Sequence, residues 1–565
     1  MTAENDQKPI AIIGGGLAGT TTLVQTLIKI AEDPNITEPV KIAMVERHPE
    51  QMHGVVAYSK GATFKNHNLN GGARTFSMFP VGLPMPEGFP TFPEYIHDLA
   101  KQNPDAIDCL TNPPRQLVSD YMQHIVGIAL EKAEGKATVE FAMKNATDLE
   151  ETASGATISF SDGSTLDAAH VVMATGFQEN LTPRFAQDVA GNPRFAGQPY
   201  HSSANRVFEA ACAEDGHKDC KVLIIGTGLT AMDIATRLIK SGFKGEITMM
   251  SRRALMHKTF EPTSPQEYME TGSLRGEPRP LPQLEFTHHR PKFMKARTVG
   301  GLAHGIAKEF QDLRQKGYSS MEILGYWERF TPEIAEKFPK KDLAALLNAH
   351  EALITSNRVG VTPDTGVTIR DGIASGQIKI KSGSIKHVGG GHDCIECTFN
   401  PGTSALSLVK NQFGAAHNRT ETEEFDFAFS AMGNTSLYDP SLHAIRNPVW
   451  ASLVEQGKAV AHWTKSGVTV DRDFSLVDRD GNPSKIISTL GVPVAGHMTV
   501  TSYPYPDKPG IAGGKLGAAA LSATIIANEA MFFLDARYDD LVKPYRDATP
   551  TGGVKHAPKK VQHGM

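Results

Sequence analysis

A short apolar strand, a glycine-rich turn and an amphipathic helix follow one another without interruption at two places in this chain. That unit narrows the choice of fold more than any other feature. In the first copy, Ile10–Ile13 is an apolar run, Gly14-Gly15-Gly16-Leu17-Ala18-Gly19 follows, and a helical pattern continues through Leu23, Leu27 and Ile28. Gly14 permits the tight turn, Gly16 lets backbone approach a pyrophosphate, and Gly19 lets the helix pack on the strand. Leu17 and Ala18 begin the helix, whose first N–H groups are free to meet phosphate. The next strand, Val40–Val45, ends in Glu46, followed by Arg47. A carboxylate at that place accepts hydrogen bonds from ribose hydroxyls and repels a 2′-phosphate. The first copy therefore suits FAD or NAD rather than NADP.

The second copy has a different ending. Lys221–Ile225 is the strand, Gly226-Thr227-Gly228-Leu229-Thr230-Ala231 the turn, and Ile234, Leu238 and Ile239 continue the helix. Ala231 stands where the third glycine stood. The following strand, Ile247–Met250, runs into Ser251-Arg252-Arg253, with no acid in the place of Glu46. Guanidinium groups pair with phosphate oxygens, so Arg252 and Arg253 favour NADP; the alternative is a pair of surface charges at a strand end. One resident dinucleotide and one visiting dinucleotide imply hydride transfer between nicotinamide and flavin. The expected cofactors are FAD and NADPH.

With 565 residues the chain exceeds one ordinary core. A net charge of −5, not gathered in a tail, gives no footprint for nucleic acid. Five cysteines make no disulfide framework and fit a reducing compartment. The start, Met1-Thr2-Ala3-Glu4-Asn5-Asp6, lacks the basic and apolar parts of a signal peptide. The apolar stretch Gly517–Phe533 is interrupted by Ser522, Asn528 and Glu529, so a buried helix is expected rather than a membrane span. These features predict a soluble cytoplasmic protein, with a homo-oligomer left open.

Later segments carry a resemblance. His170–Gly176, with Ala174-Thr175-Gly176 at its end, and Phe425–Gly433 look like the paired crossing segments of two-dinucleotide-binding flavoproteins. Gly54-Val55-Val56-Ala57-Tyr58, His67-Asn68-Leu69-Asn70 and Ser77-Met78-Phe79-Pro80 resemble motifs of the bacterial FAD/NAD(P)-binding flavoprotein family, related to class B flavin and N-hydroxylating monooxygenases. The resemblance implies that the segment from Asn68 to Met78 lies along the flavin, with Asn70 and Met78 touching it. It also implies cofactor contacts from Ala174, Thr175, Gly176 and Gly433. Phe195–Ser202 is similar to the opening of the class B monooxygenase signature, although Asn205 stands where that signature has an aromatic residue or proline. A linker that docks one domain on the other also accounts for Phe195 and His201.

The expected fold is α/β, with two Rossmann-like dinucleotide-binding domains and a helical insertion in the second. The FAD domain would take residues 1–204 and 421–547, the NAD(P) domain 205–420, the insertion about 260–359, and a flexible tail 548–565. Leu302, Ile306, Phe310 and Leu313 recur at helical spacing within that insertion. Ile369–Ile385 and Cys394–Phe399 read as strands, separated by a turn at Gly389-Gly390-Gly391. Gly513-Gly514-Lys515 precedes an Ala-rich helix, Leu516–Met531, whose start with Gly514 and Lys515 would face reduced flavin; a plain core helix is the other reading. Cys394-x-x-Cys397 with His392 reads as structural rather than redox-active or metal-binding. His67 could move a proton or be a satisfied structural histidine. No residue is named as catalytic and no metal is expected. The whole predicts an FAD-dependent oxidoreductase using NAD(P)H. A monooxygenase acting on a small substrate with molecular oxygen through a flavin C4a-hydroperoxide, N-hydroxylation included, leads. The alternatives are a flavin reductase or dehydrogenase and a non-catalytic redox sensor.

Overall fold

In the computed structural model, each glycine turn leaves the C-terminal end of a strand at the middle of its own sheet. The structure describes residues 7–49, 52–53, 58, 67–69, 76–79, 85–102, 112–176, 182–213, 219–259, 290–316, 323, 327, 330, 333–334, 337–343, 345–346, 360–391, 393–402, 420–432, 438–439, 444–445, 447–462, 467–471 and 473–494.

In the first half, β1 is Ile10–Ile13, α1 Leu17–Glu32, β2 Val40–Val45, α2 Phe92–Gln102 and α3 Gln116–Lys132. The strands β3 Ala137–Ala142, β4 Ala146–Thr152, β5 Gly155–Phe160, β6 Thr165–Ala168 and β7 His170–Met173 follow. The second half holds β8 Phe195–Ala196, α4 Asn205–Cys212, β9 Lys221–Ile225, α5 Leu229–Lys240, β10 Glu246–Ser251, β11 Lys258–Thr259 and α6 Val299–Gln315. Next come β12 Gly360–Val361, α7 Pro363–Ala374, β13 Ile378–Gly389, β14 Ile395–Pro401, β15 Glu421–Phe425 and β16 Phe427–Ser430. The described part closes with β17 Tyr438–Asp439, β18 Ala444–Ile445, α8 Pro448–Glu455, β19 Ser475–Val477 and β20 Pro483–Thr489.

The six-stranded first sheet has the order β19-β20-β7-β1-β2-β3 and the seven-stranded second sheet the order β15-β14-β13-β10-β9-β16-β8. The strands beside each turn run parallel: β7-β1-β2 in the first sheet and β16-β9-β10 in the second. Largely buried on both faces, these strands are mostly apolar, as parallel sheets require, with exposed Lys41 in β2 and Lys221 opening β9. The face of the first sheet under α1 and α3 packs Leu23, Leu27, Ile42, Tyr121 and Ile125. Its other face packs Val171, Trp450 and Leu453 with the small sheet β4-β5-β6.

Three expectations change. Residues 421–430, expected to open the second part of the first domain, are strands of the second sheet, with Phe427 beside Val222. Phe195–Ala196 also joins the second sheet, against β16. The return to the first sheet comes with β19 and β20, which pair antiparallel, β20 lying parallel to β7. The expected strand from Ile369 begins instead as α7. Thr362 caps the helix by accepting from the Thr365 N–H at 3.2 Å, and Pro363 opens it. The hairpin of β13 and β14 does turn at Gly390, which has φ +129°.

Between β11 and β12, which pair as Lys258 with Gly360, the chain forms α6 and a small core of its own around Phe293, Leu302, Trp327 and Phe338. Among the described residues no helix is long and apolar enough to cross a membrane. The expected helix Leu516–Met531 and the tail from 548 lie outside the described residues.

Candidate functional site

The two turns are built alike at the level of single atoms. The Gly14 N–H donates to Val45 O at 2.8 Å, and the Ala174 N–H to Ile13 O at 2.8 Å. In the second copy the Gly226 N–H donates to Met250 O at 2.7 Å, and the Ala431 N–H to Ile225 O at 2.8 Å. Gly14 has φ +113° and Gly226 φ +131°, and a Cβ on either would fall 2.3 Å from Ala174 O or 2.5 Å from Ala431 O. A side chain is excluded at both places by conformation and by space. Gly16 and Gly228 cap α1 and α5 in the same extended conformation, φ −71° and ψ −165° against φ −83° and ψ −167°. Neither helix has a side-chain cap or an acid in its first turn. Their first N–H groups are left for an external acceptor, which is how a helix start takes a pyrophosphate. Leu17, Ala18, Leu229 and Thr230 are partly exposed at these openings, as are Gly16 and Gly228.

The third positions differ. A Cβ on Gly19 would lie 1.8 Å from Gly14 O, so α1 presses directly on its own turn. Ala231 is fully buried at the matching place, so α5 stands far enough away to admit a methyl group.

Glu46, 8% exposed, is fixed by backbone: Oε2 accepts the Gly15 N–H at 2.8 Å and Oε1 the His48 N–H at 3.0 Å. Each oxygen retains acceptor capacity for a ribose hydroxyl. Arg47 beside it is exposed. In the second copy, Thr227 Oγ1 lies 2.9 Å from Ser251 Oγ and donates to Leu255 O at 2.6 Å. These bonds draw the loop bearing the exposed Arg252 and Arg253 against the turn. The turn ending β7 is also held: Trp450 Nε1 donates to Thr175 Oγ1 at 2.9 Å, and Gly176 has φ +65°.

Sequence reasoning missed a strap over the first turn. The His53 N–H donates to Gly15 O at 2.8 Å, and His53 Nδ1 lies 3.3 Å from Thr20 Oγ1. A Cβ on Gly15 would meet Met52 Sδ at 2.7 Å. Burial lowers His53 to about 4, so it stays neutral at physiological pH. His257, also unflagged, has Nε2 3.7 Å from where a Gly228 Cβ would sit.

Other expectations fall differently. Met78 is fully buried in the first core and its carbonyl accepts from Gln25 Nε2 at 2.8 Å, so its side chain is closed off from any ligand. His67 turns toward the second unit, with Nε2 3.0 Å from Asp233 Oδ2. The same Oδ2 accepts from Arg115 Nη2 at 3.0 Å and from the Tyr200 hydroxyl at 2.5 Å. Burial alone would raise the Asp233 carboxyl, but Arg115 and His67 outweigh it and hold it well below the usual range. Burial, then the charge of Arg115, lowers His67. No sequence motif announced this cluster, because its members lie far apart in the chain. Cys394 and Cys397 are free thiols, and burial pushes Cys397 up to about 12. Cys394, Glu396 and Glu424 bring donor atoms within 4.8 Å of one another, the two glutamates being exposed. Asn70, His392, Gly433, Gly514 and Lys515 lie outside the described residues.

Residues 11–178 match the family model described as FAD-NAD(P)-binding. That span runs from within β1 through β7, with the first turn and Glu46. Solved structures give a likeness over nearly the whole chain. The ornithine N-hydroxylase of Kutzneria sp. 744, solved with reduced FAD, NADP+ and L-orn, is 14% identical at a TM-score of 0.55, covering 93% of this chain and 99% of its own. The reduced ornithine hydroxylase of Pseudomonas aeruginosa is 13% identical at 0.55, covering 94% and 100%. The FAD-bound cadaverine monooxygenase of Erwinia amylovora is 13% identical at 0.54, covering 99% and 100%. At these identities the likeness establishes a shared fold, that of flavoproteins with two dinucleotide-binding domains. No curated protein sequence matches the chain.

Proposed function

We propose that this protein is an FAD-dependent oxidoreductase that uses NADPH, and that it is a monooxygenase acting on a small substrate, with N-hydroxylation of an amine as its reaction. The observation that carries the reading is the pair of matched turns with opposite endings. Glu46, held by two backbone N–H groups, closes the first; Arg252 and Arg253 close the second. The uncapped starts of α1 and α5 fit pyrophosphates, and the crowding around Gly14 and Gly226 leaves only glycine able to form such turns. Gly14, Gly16, Leu17, Ala18, Gly19 and Glu46, with Ala174, Thr175 and Gly176 beside them, would hold FAD. Gly226, Gly228, Leu229, Thr230, Arg252 and Arg253 would hold NADPH. When bound, FAD supplies hydride acceptance and the activation of oxygen.

The chain's own share is to bind, orient and shield. The Glu46 carboxylate disfavours a 2′-phosphate at the first turn by charge, and the two arginines attract one at the second. His53, neutral and half-buried, closes the first turn without adding charge. The reading of N-hydroxylation rests on the likeness to the ornithine and cadaverine enzymes. The free thiols Cys212, Cys220, Cys394 and Cys397 fit a reducing compartment, and we place the protein in the cytoplasm.

The test is rapid mixing of the NADPH-reduced, FAD-loaded protein with oxygen, in the presence of ornithine, lysine and simple diamines. A product heavier by one oxygen atom, formed in proportion to NADPH consumed, is expected for one of them. Reoxidation that yields only hydrogen peroxide, with fast electron delivery to an artificial acceptor, would assign the protein as a reductase instead.

A further inference from the structure

Asp233 lies on α5, the helix whose start is the second glycine turn, yet its partners come from elsewhere. Arg115 and His67 belong to the first unit and Tyr200 to the segment joining the two. Asp233, Arg115 and His67 are 4%, 5% and 6% exposed. Arg115 is anchored on its own side, with Nε donating to Asn68 O at 3.1 Å and its N–H to His67 O at 2.8 Å. The His67 and Tyr200 rings stack at 5.9 Å with planes 15° apart.

Ion pairs buried to this extent rarely add stability over apolar packing, because desolvation opposes the attraction. What they impose is direction. Arg115 and Tyr200 donate to one oxygen, with His67 Nε2 3.0 Å from it, only when α5 sits in one place and one rotation relative to the first unit. Interfaces between domains of one chain otherwise permit relative motion.

We propose that the Arg115–His67–Tyr200–Asp233 cluster is a positioning lock between the two dinucleotide units. It fixes the start of α5, and with it the visiting nucleotide, against the resident cofactor in a single orientation. Asp233 and Arg115 are thus positioning residues, acting through α5 and not on the reacting atoms. The role in hydride delivery rests on the two-cofactor reading above; the lock on orientation does not.

The experiment has two arms. Spin labels on Asp98→Cys, exposed on α2, and Arg370→Cys, exposed on α7, report the distance between units in the full chain with its reactive native cysteines replaced by serine. The unaltered cluster should give one narrow distance population, and Asp233→Asn or Tyr200→Phe a broadened or divided one. In the second arm, FAD-loaded protein is reduced by NADPH in a stopped-flow instrument. The limiting reduction rate should fall about tenfold or more in both variants, while FAD content and NADP+ affinity stay near those of the parent. Tyr200→Phe removes a single hydroxyl and carries the test if Asp233→Asn does not fold. Unchanged distances in a folded variant would overturn the lock. Altered distances with an unchanged reduction rate would overturn its part in hydride delivery. If the parent is not reduced by NADPH at all, the functional reading fails, and the distance arm still decides the lock.

Discussion

At the scale of single residues, the glycines of the first turn are fixed by backbone atoms that cannot yield cheaply. Gly19→Ala would put a methyl group 1.8 Å from Gly14 O and force α1 off its turn. The expected cost is about 1–3 kcal/mol of stability, with loss of bound flavin, read by denaturant titration and by visible absorbance. Alanine is native at 231, so the same methyl is harmless in the second copy. The charges that select between nucleotides are a second matter. Arg252→Ala combined with Arg253→Ala should cut the preference for NADPH over NADH by about tenfold or more, since charge-assisted hydrogen bonds contribute roughly 1.5–3 kcal/mol each. Steady-state comparison of the two nucleotides checks it; a preference that survives the double change would move the phosphate site elsewhere.

At the scale of elements, the returning strand β20 is tied to β7 by a buried histidine. His170 Nε2 lies 3.1 Å from Ser488 Oγ, and burial lowers His170 from 6.5 to about 4. Because its folded value lies below the unfolded one, the unfolded chain takes up the proton first. Stability is therefore complete above about pH 6.5 and declines as the pH falls toward 4, by on the order of 3 kcal/mol. His53 acts in the same sense. Melting temperature followed against pH should drop through that window, and His170→Gln should flatten the slope without abolishing it. The helix α8 makes a comparable tie through Trp450, whose indole donates to Thr175. Trp450→Phe should cost about 1–3 kcal/mol and weaken flavin retention. A variant that keeps its flavin as tightly as the parent would show that the Thr175 turn needs no support from α8.

At the scale of the whole molecule, a resident cofactor is part of the folded state. Stripping FAD should lower the melting temperature and reloading should restore it, by about 4 kcal/mol at a thousandfold excess over the dissociation constant. A melting temperature indifferent to FAD would count against the first cradle. Sequence alone determined the two strand–turn–helix units, the acid after one and the arginines after the other. These are local facts: a parallel strand buried on both faces must be apolar, and a turn that meets backbone at a positive φ must be glycine. The helical character of the segment around Leu302 was legible for the same reason, through its spacing. Only the tertiary structure decided what depends on contacts across the chain. It set Phe427–Ser430 beside Lys221–Ile225 in the second sheet and made Pro363–Ala374 a helix on the strength of its cap. It withdrew Met78 into the core and set His67 beside Asp233. Arg115 and Asp233 show no periodicity or spacing that pairs them, since 118 residues separate them in sequence. A hydrogen bond between such distant residues is a property of packing, and packing is what brings two legible nucleotide turns into one molecule.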